Sequence, residues 1–267
     1  MKKILIGFIA IGLLTFVGCE IEEDLQQVGT PYQSSDTTDS SETSSDDGTS
    51  DDSSIQYGEG VTDIDGNTYK SVIIGEQEWM AENLRTSKYS DGTSIPNVTG
   101  NTEWEGLTTG ARSHYDNDNQ YEATYGKLYN WYSVNTGRLA PEGWHVPTDA
   151  EWTVLTDYLE ANGHEETEGT ALKARSSWRG DPWDASQDDI SGSGNGSDHY
   201  GWNGLPGGQR QDGGYFSFSW SEGGYWWSSL EFSEGSAWSR SLSNFSDSVS
   251  RGYSVKSYGF SIRCLRD

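Results

Sequence analysis

Apolar residues are spaced in three different ways along this chain. Met1, Lys2 and Lys3 open it, and an apolar run follows from Ile4 to Val17, broken only by Gly7, Gly12 and Thr15. That run falls short of the about 20 apolar residues that a membrane-spanning helix needs. A positive start, a short apolar stretch and small residues before a cut predict a signal peptide over residues 1–18. The second regime has no apolar side chains at all: Ser34 to Ser54 is built of Ser, Thr, Asp, Glu and Gly. Such a segment has too little apolar surface to offset its ordering entropy, so 19–60 is expected to be a disordered tether. The third regime, from Val61 onward, shows periodicity.

Asp65-Gly66-Asn67 is a turn signal, and Thr68 to Met80 reads as a hairpin reversing at Gly75-Glu76. Asp91 to Asp118 is rich in turn residues and reads as irregular. Leu128, Trp131 and Tyr132, spaced by three and four, predict a helix over Thr124 to Val134. A second helix is predicted after Pro147. Thr148 with Glu151 three residues later has the form of a capping box, Trp152, Leu155 and Leu159 share a face, and Gly163 can close the helix. Ala171 to Arg175 is a candidate for a short third helix. Strand candidates then run Gly214–Trp220, Tyr225–Ser229, Ala237–Leu242, Ser250–Lys256 and Gly259–Leu265. In the last, Phe260, Ile262 and Cys264 alternate with Ser261 and Arg263, as in a half-buried strand. Helices early and strands late predict an α+β domain over 61–267, with two main helices and irregular antiparallel sheets.

Cysteine and charge add to this picture. Thr15-Phe16-Val17-Gly18-Cys19 resembles the lipobox of bacterial lipoproteins, which implies acylation of Cys19 and a membrane partner reached through that lipid. Glu22-Glu23-Asp24 resembles the acidic signal that sends such proteins to the cell surface, and Asp36-Thr37-Thr38 resembles an O-glycosylation sequence. The expected location is the outer membrane, lipid-anchored and exposed. With Cys19 acylated, Cys264 is the one remaining thiol of the chain's two cysteines, so no internal disulfide can form. Twelve acids and no Lys or Arg lie between Glu20 and Gly60, and residues 61–267 carry 15 basic and 30 acidic side chains. An acidic domain on an acidic tether is a poor match for nucleic acid or an anionic lipid surface.

Several motifs occur in order: Asp65-Gly66-Asn67-Thr68-Tyr69, Tyr125-Gly126-Lys127-Leu128-Tyr129-Asn130-Trp131, Gly143-Trp144-His145-Val146-Pro147-Thr148-Asp149-Ala150-Glu151-Trp152, Tyr225-Trp226-Trp227-Ser228-Ser229 and Gly259-Phe260-Ser261-Ile262-Arg263-Cys264. Together they resemble the Fibrobacter succinogenes major paralogous domain over residues 61–267. That family occurs in surface and secreted proteins, and is similar to the C-type-lectin-like group that includes formylglycine-generating and sulfatase-modifying enzymes. The resemblance therefore implies a C-type-lectin-like fold rather than a particular activity.

The candidate chemistry is sparse. A formylglycine-generating copper oxidase needs paired thiols, which a lone Cys264 does not supply; in phase with Phe260 and Ile262, Cys264 reads as a small buried hydrophobe. His114, His145, His164 and His199 are isolated, without metal-ligand spacing, and His145 reads as a packing or hydrogen-bonding residue. Asp116-Asn117-Asp118-Asn119 gathers four oxygen side chains and is a candidate structural calcium site, against the alternative of a solvated acidic loop. Asp188-Asp189 is a second acidic cluster. For carbohydrate, the candidate exposed contacts are Trp178, Trp183, Tyr200 and Trp202 in the glycine loops. The expected function is a surface-displayed, non-catalytic binding or adhesion domain for a polysaccharide or a surface protein. An enzyme of altered chemistry and a structural subunit of a surface assembly are the alternatives.

Overall fold

The computed structural model describes residues 54–179, 194–217 and 222–267. The signal segment, Cys19, most of the tether, Trp183 and Asp188-Asp189 lie outside the described residues. By contact density the chain divides into Met1–Thr49 and Ser50–Asp267, and every described residue belongs to the second unit.

In chain order the strands and helices are β1 (Val61–Thr62), β2 (Thr68–Tyr69), β3 (Ser71–Ile74), β4 (Gln77–Met80), α1 (Asn101–Glu105), β5 (Arg112–Ser113), α2 (Glu122–Tyr125), β6 (Leu128–Asn130), α3 (Trp131–Val134), β7 (Trp144–His145), α4 (Asp149–Leu159), α5 (Glu168–Leu172), β8 (Gly223–Ser233), β9 (Ser236–Ser243), β10 (Ser246–Val255), β11 (Gly259–Phe260) and β12 (Leu265–Arg266). The mixture is α+β, and every named strand pairing is antiparallel.

The predicted hairpin forms as β3–β4, with Ser71 opposite Met80. The turn before it is organised by Asp63, whose carboxylate accepts from the Asp65 and Asn67 amides, the Asn67 side chain and the Tyr69 hydroxyl. Ordered pairing begins upstream of the expected boundary at Val61: Tyr57 bridges to Val72, and the Ile73 amide donates to the Gln56 carbonyl. The hairpin belongs to a four-stranded sheet of order β3-β4-β12-β7. The last strand thus lies inside that sheet, with Leu265 between Trp79 and His145.

The capping box forms as read. The Thr148 hydroxyl accepts from the Glu151 amide, and the Glu151 carboxylate accepts from the Thr148 amide. Trp152, Leu155 and Leu159 are buried. After Leu159 the helix widens through Glu160–His164, where Gly163 takes φ 93°. The third helix lies a little earlier than expected, at Glu168–Leu172.

The helix expected over Thr124–Val134 does not form as one piece. The chain makes two four-residue turns, α2 and α3, with strand β6 between them. Gly126 causes the break, at φ 74° and ψ −156°; a Cβ there would meet Asn83 Cβ and Leu84 O at 2.8 Å. β6 then pairs with β5 on one side and β11 on the other, giving the order β11-β6-β5. Non-local pairing of Leu128–Asn130 overrides the local helical spacing. Asp91–Asp118 is irregular apart from the short α1 and β5 and a tight turn at Tyr115–Asn117. Of the strand expected at Gly214–Trp220, Phe216 makes a bridge to Arg210, and residues 218–220 lie outside the described residues.

β8, β9 and β10 form a meander of order β10-β9-β8. Its root lies between two cores. Trp227 and Ala237 join one, with Tyr129, Trp131, Phe260, Ile262 and Cys264. Trp226 and Leu242 join the other, with Trp79, Trp152, Leu155, Trp178 and Trp202. Neighbouring residues of a strand point to opposite faces, so Trp226-Trp227 joins the two cores across the sheet. Cys264 is fully buried, and burial raises its thiol far above the ordinary value. The expected half-buried alternation at the C-terminus is corrected: Ser261 and Arg263 are as buried as Phe260 and Ile262. The Arg263 guanidinium donates to Asn83 Oδ1 and to the Met80, Trp202 and Asn203 carbonyls, and lies 4.1 Å from the centre of the Trp202 ring. Burial lowers its pKa to about 9. A charge this deep is tolerated because its donors are satisfied by carbonyls and an aromatic face.

Candidate binding surface

Of the four aromatic residues expected to form an exposed patch, Trp178 and Trp202 are buried, and Trp183 lies outside the described residues. Trp202 and Trp178 are 0% and 2% exposed. Trp178 Nε1 donates to the Gly204 carbonyl, and Trp202 packs edge-on against Trp79, Trp152 and Trp226. The glycine loop covers the core instead of presenting its aromatics. A Cβ on Gly204 would come within 2.9 Å of Leu172 O, Leu242 Cδ1 and the Trp202 ring, so glycine lets the backbone lie flat there. Tyr200 is half-buried, beside Tyr158, His164 and His199.

At the proposed calcium loop, Asp116 and Asn117 both take positive φ, 52° and 56°. The Asn117 side-chain Nδ2 donates to the Thr99 carbonyl, and the Asp118 carboxylate accepts from the Gln120 amide and side chain. Asn119 begins the next tight turn. Of these four side chains, Asn117 and Asp118 are thus engaged in hydrogen bonds. Among the described residues no three of His, Cys, Asp and Glu converge in a manner that could hold a metal ion.

Exposed aromatic surface lies elsewhere, at the outer end of the β8–β10 meander. Trp238 and Tyr253 face each other across β9 and β10. Phe232 of β8 stacks on Tyr253 with ring centres 4.0 Å apart and planes 9° from parallel, and meets Trp238 edge-on at 4.8 Å. Phe232 is 43% exposed and Tyr253 58%. Leu230 and Val255 are also exposed. Single exposed hydrophobes are ordinary on any surface, whereas rings gathered into one cluster make a candidate interaction surface.

A charged frame holds these rings. Arg251 lies 3.6 Å above the centre of the Trp238 ring, and Asp149, the first residue of α4, accepts from both Arg251 and buried Arg240. Burial would raise the Asp149 carboxyl, but the hydrogen bonds from Arg251 and Arg240 hold it below its ordinary value. Lys256, buried against the Trp131 ring, donates to Glu231 and to the Glu234 carbonyl at the β8–β9 turn. The cluster therefore combines flat apolar faces with charged groups whose geometry is already set. The signal in the sequence was a lone aromatic between serines and an arginine, Ala237-Trp238-Ser239-Arg240 and Arg251-Gly252-Tyr253-Ser254. It is readable as a surface only once the strand register is known.

The histidines separate by environment. His145 bridges Asp267 and Glu151 through its two ring nitrogens, at 2.7 and 2.9 Å, which fits its reading as a hydrogen-bonding residue. His114 Nδ1 lies 3.4 Å from Glu122 Oε2, close enough for charge but not aligned for a hydrogen bond. Burial, with Lys127 and Arg112, keeps that imidazole below its usual pKa despite Glu122. Lys127, itself buried, donates to Glu122 and to the Arg85 carbonyl. His164 and His199 pack against each other.

Residues 72–266, from β3 to β12, match the model of the Fibrobacter succinogenes major domain. The chain belongs to that family. No curated protein and no solved structure matches the chain. The Fibrobacter succinogenes major domain thus takes in the two cores, the capped α4 and the whole β8–β10 meander with its aromatic end. No helix among the described residues is long and apolar enough to cross a membrane.

Proposed function

We propose that this protein is a surface-displayed lipoprotein, acylated on Cys19 and anchored in the outer membrane, whose folded domain is a non-catalytic carbohydrate-binding module of C-type-lectin-like fold. The exposed cluster of Phe232, Trp238 and Tyr253 carries the reading. Sugar rings stack on flat aromatic faces while fixed charged and polar groups take their hydroxyls. Phe232 and Tyr253 supply the faces, Arg251 and Glu231 supply the polar rim, and Asp149 holds Arg251 in place. An acidic domain disfavours anionic polymers, so neutral polysaccharides are the partner class.

The test is binding of the full-length protein to a panel of neutral and acidic polysaccharides. Tyr253→Ala and Trp238→Ala are each expected to weaken binding about tenfold or more, as loss of a central aromatic contact does. A panel without a ligand, or unchanged binding by both variants, overturns the assignment.

A second reading, an enzyme of altered chemistry, rests on the buried Lys127–Glu122–His114 group. Next to it Arg112 Nε and Ser113 Oγ, like His114 Nδ1, are buried without hydrogen-bond partners. Polar atoms left unpaired on consecutive residues and shifted pKa values favour a functional site.

A further inference from the structure

We propose that His164 and His199 form a binding site for one divalent transition-metal ion of the zinc, nickel or copper class. This goes beyond the carbohydrate reading and does not depend on it. His164 ends the widened turn after α4, and His199 lies in the glycine loop, where its amide donates to the Ala171 carbonyl. Their ring centres are 4.9 Å apart, with the planes inclined by 60°. Two imidazoles sharing one tetrahedral ion, with metal–nitrogen bonds of about 2.0–2.1 Å, place their ring centres roughly 5 Å apart. The observed ring separation matches that spacing.

The ring nitrogens are available. Among the described residues neither ring makes a hydrogen bond, in contrast to His145, whose two nitrogens are both taken by carboxylates. Tyr200 meets the His164 and His199 rings edge-on at 5.6 and 4.7 Å, which restricts their rotation. Acidic side chains crowd the turn. The Glu160 carboxyl is pushed above its ordinary pKa, first by desolvation and then by Glu168, Asp157 and Glu165. A bound ion would relieve that crowding. Imidazole donors select borderline metals over calcium or magnesium. With two protein ligands, water completes the coordination shell, and the ion cross-links the end of α4 to the loop that covers the second core.

The experiment is calorimetric titration of the full-length protein with Zn2+, Ni2+ or Cu2+, in excess calcium to occupy carboxylates of the acidic tether. One saturating equivalent is expected. His164→Ala and His199→Ala should each lower affinity at least ~10-fold, while His145→Gln leaves it unchanged. Circular dichroism checks that the variants fold, and His199→Gln at the exposed partner provides a milder second change. In the wild-type protein, imidazole NMR signals of two histidines should shift on addition of Zn2+. Absence of saturable binding, unchanged affinity in all three His164 and His199 variants, or imidazole shifts at other histidines would overturn the site.

Discussion

The two ends of the β8–β10 meander use the same residue types for opposite purposes. At the root, Trp226 and Trp227 are buried on either side of the sheet, and their indole nitrogens donate to Asn83 Oδ1 and the Tyr129 carbonyl. At the outer end, Phe232, Trp238 and Tyr253 pack mainly on one another and on Arg251, with Phe232 and Tyr253 open to solvent. What separates the two is the layer on each face, not the composition of the strands. The root has a core on both sides. At the outer end, polar contacts to the α4 N-terminus replace the core, and the rings are held without being covered.

The contrast can be broken most severely at the root. Trp226→Ala removes a fully buried indole and leaves Asn83 short of a donor, so a loss of about 3–5 kcal/mol is expected, readable as a shift of the urea midpoint. A loss below ~1 kcal/mol would mean that the two cores do not depend on the residue that joins them.

Next in size is the charged frame between the two ends. Asp149→Asn leaves buried Arg240 without a counter-charge and should cost about 3 kcal/mol at neutral pH. Because the Asp149 carboxyl is depressed when folded, its contribution is present above its unfolded value of 3.8 and lost as pH falls through the folded value. A thermal-unfolding series should therefore show less acid sensitivity in the variant than in the parent chain. Parallel curves would remove Asp149 from the account.

The smallest change in stability belongs to the outer end. Tyr253→Ala should alter it by less than ~1 kcal/mol, since the ring is mostly exposed, even while it abolishes most ligand binding. A large drop in melting temperature would recast the aromatic cluster as a small satellite core and not a binding surface.

Features carried by near neighbours are legible in the sequence. Thr148 and Glu151 sit three apart, so their reciprocal cap follows from helix geometry alone, and the reversal at Gly75-Glu76 is equally local. The burial of Cys264 followed from its phase with Phe260 and Ile262. The candidate site was not legible. Aromatic content drew attention to Trp178 and Trp202, because glycine-rich loops usually lie outside. Here the missing Cβ atoms let the loop settle onto the core, and both indoles turned inward. Arg263 read as a solvent-facing position, since its partners Asn83 and Trp202 are remote in sequence.

The sequence by itself determined the division between an apolar opening run, a charged segment without apolar groups and a segment with the periodicity of a folded domain. It also determined the cap of α4 and the supply of large aromatics in place of aliphatic core residues. Those depend on composition and on contacts between residues a few positions apart. Tertiary structure alone decided which aromatics are core and which are surface, where Gly126 breaks a helical pattern in favour of a strand, and that His164 meets His199. Each of these turns on pairing between distant segments, whose burial and register outweigh the ~1 kcal/mol scale of local propensity.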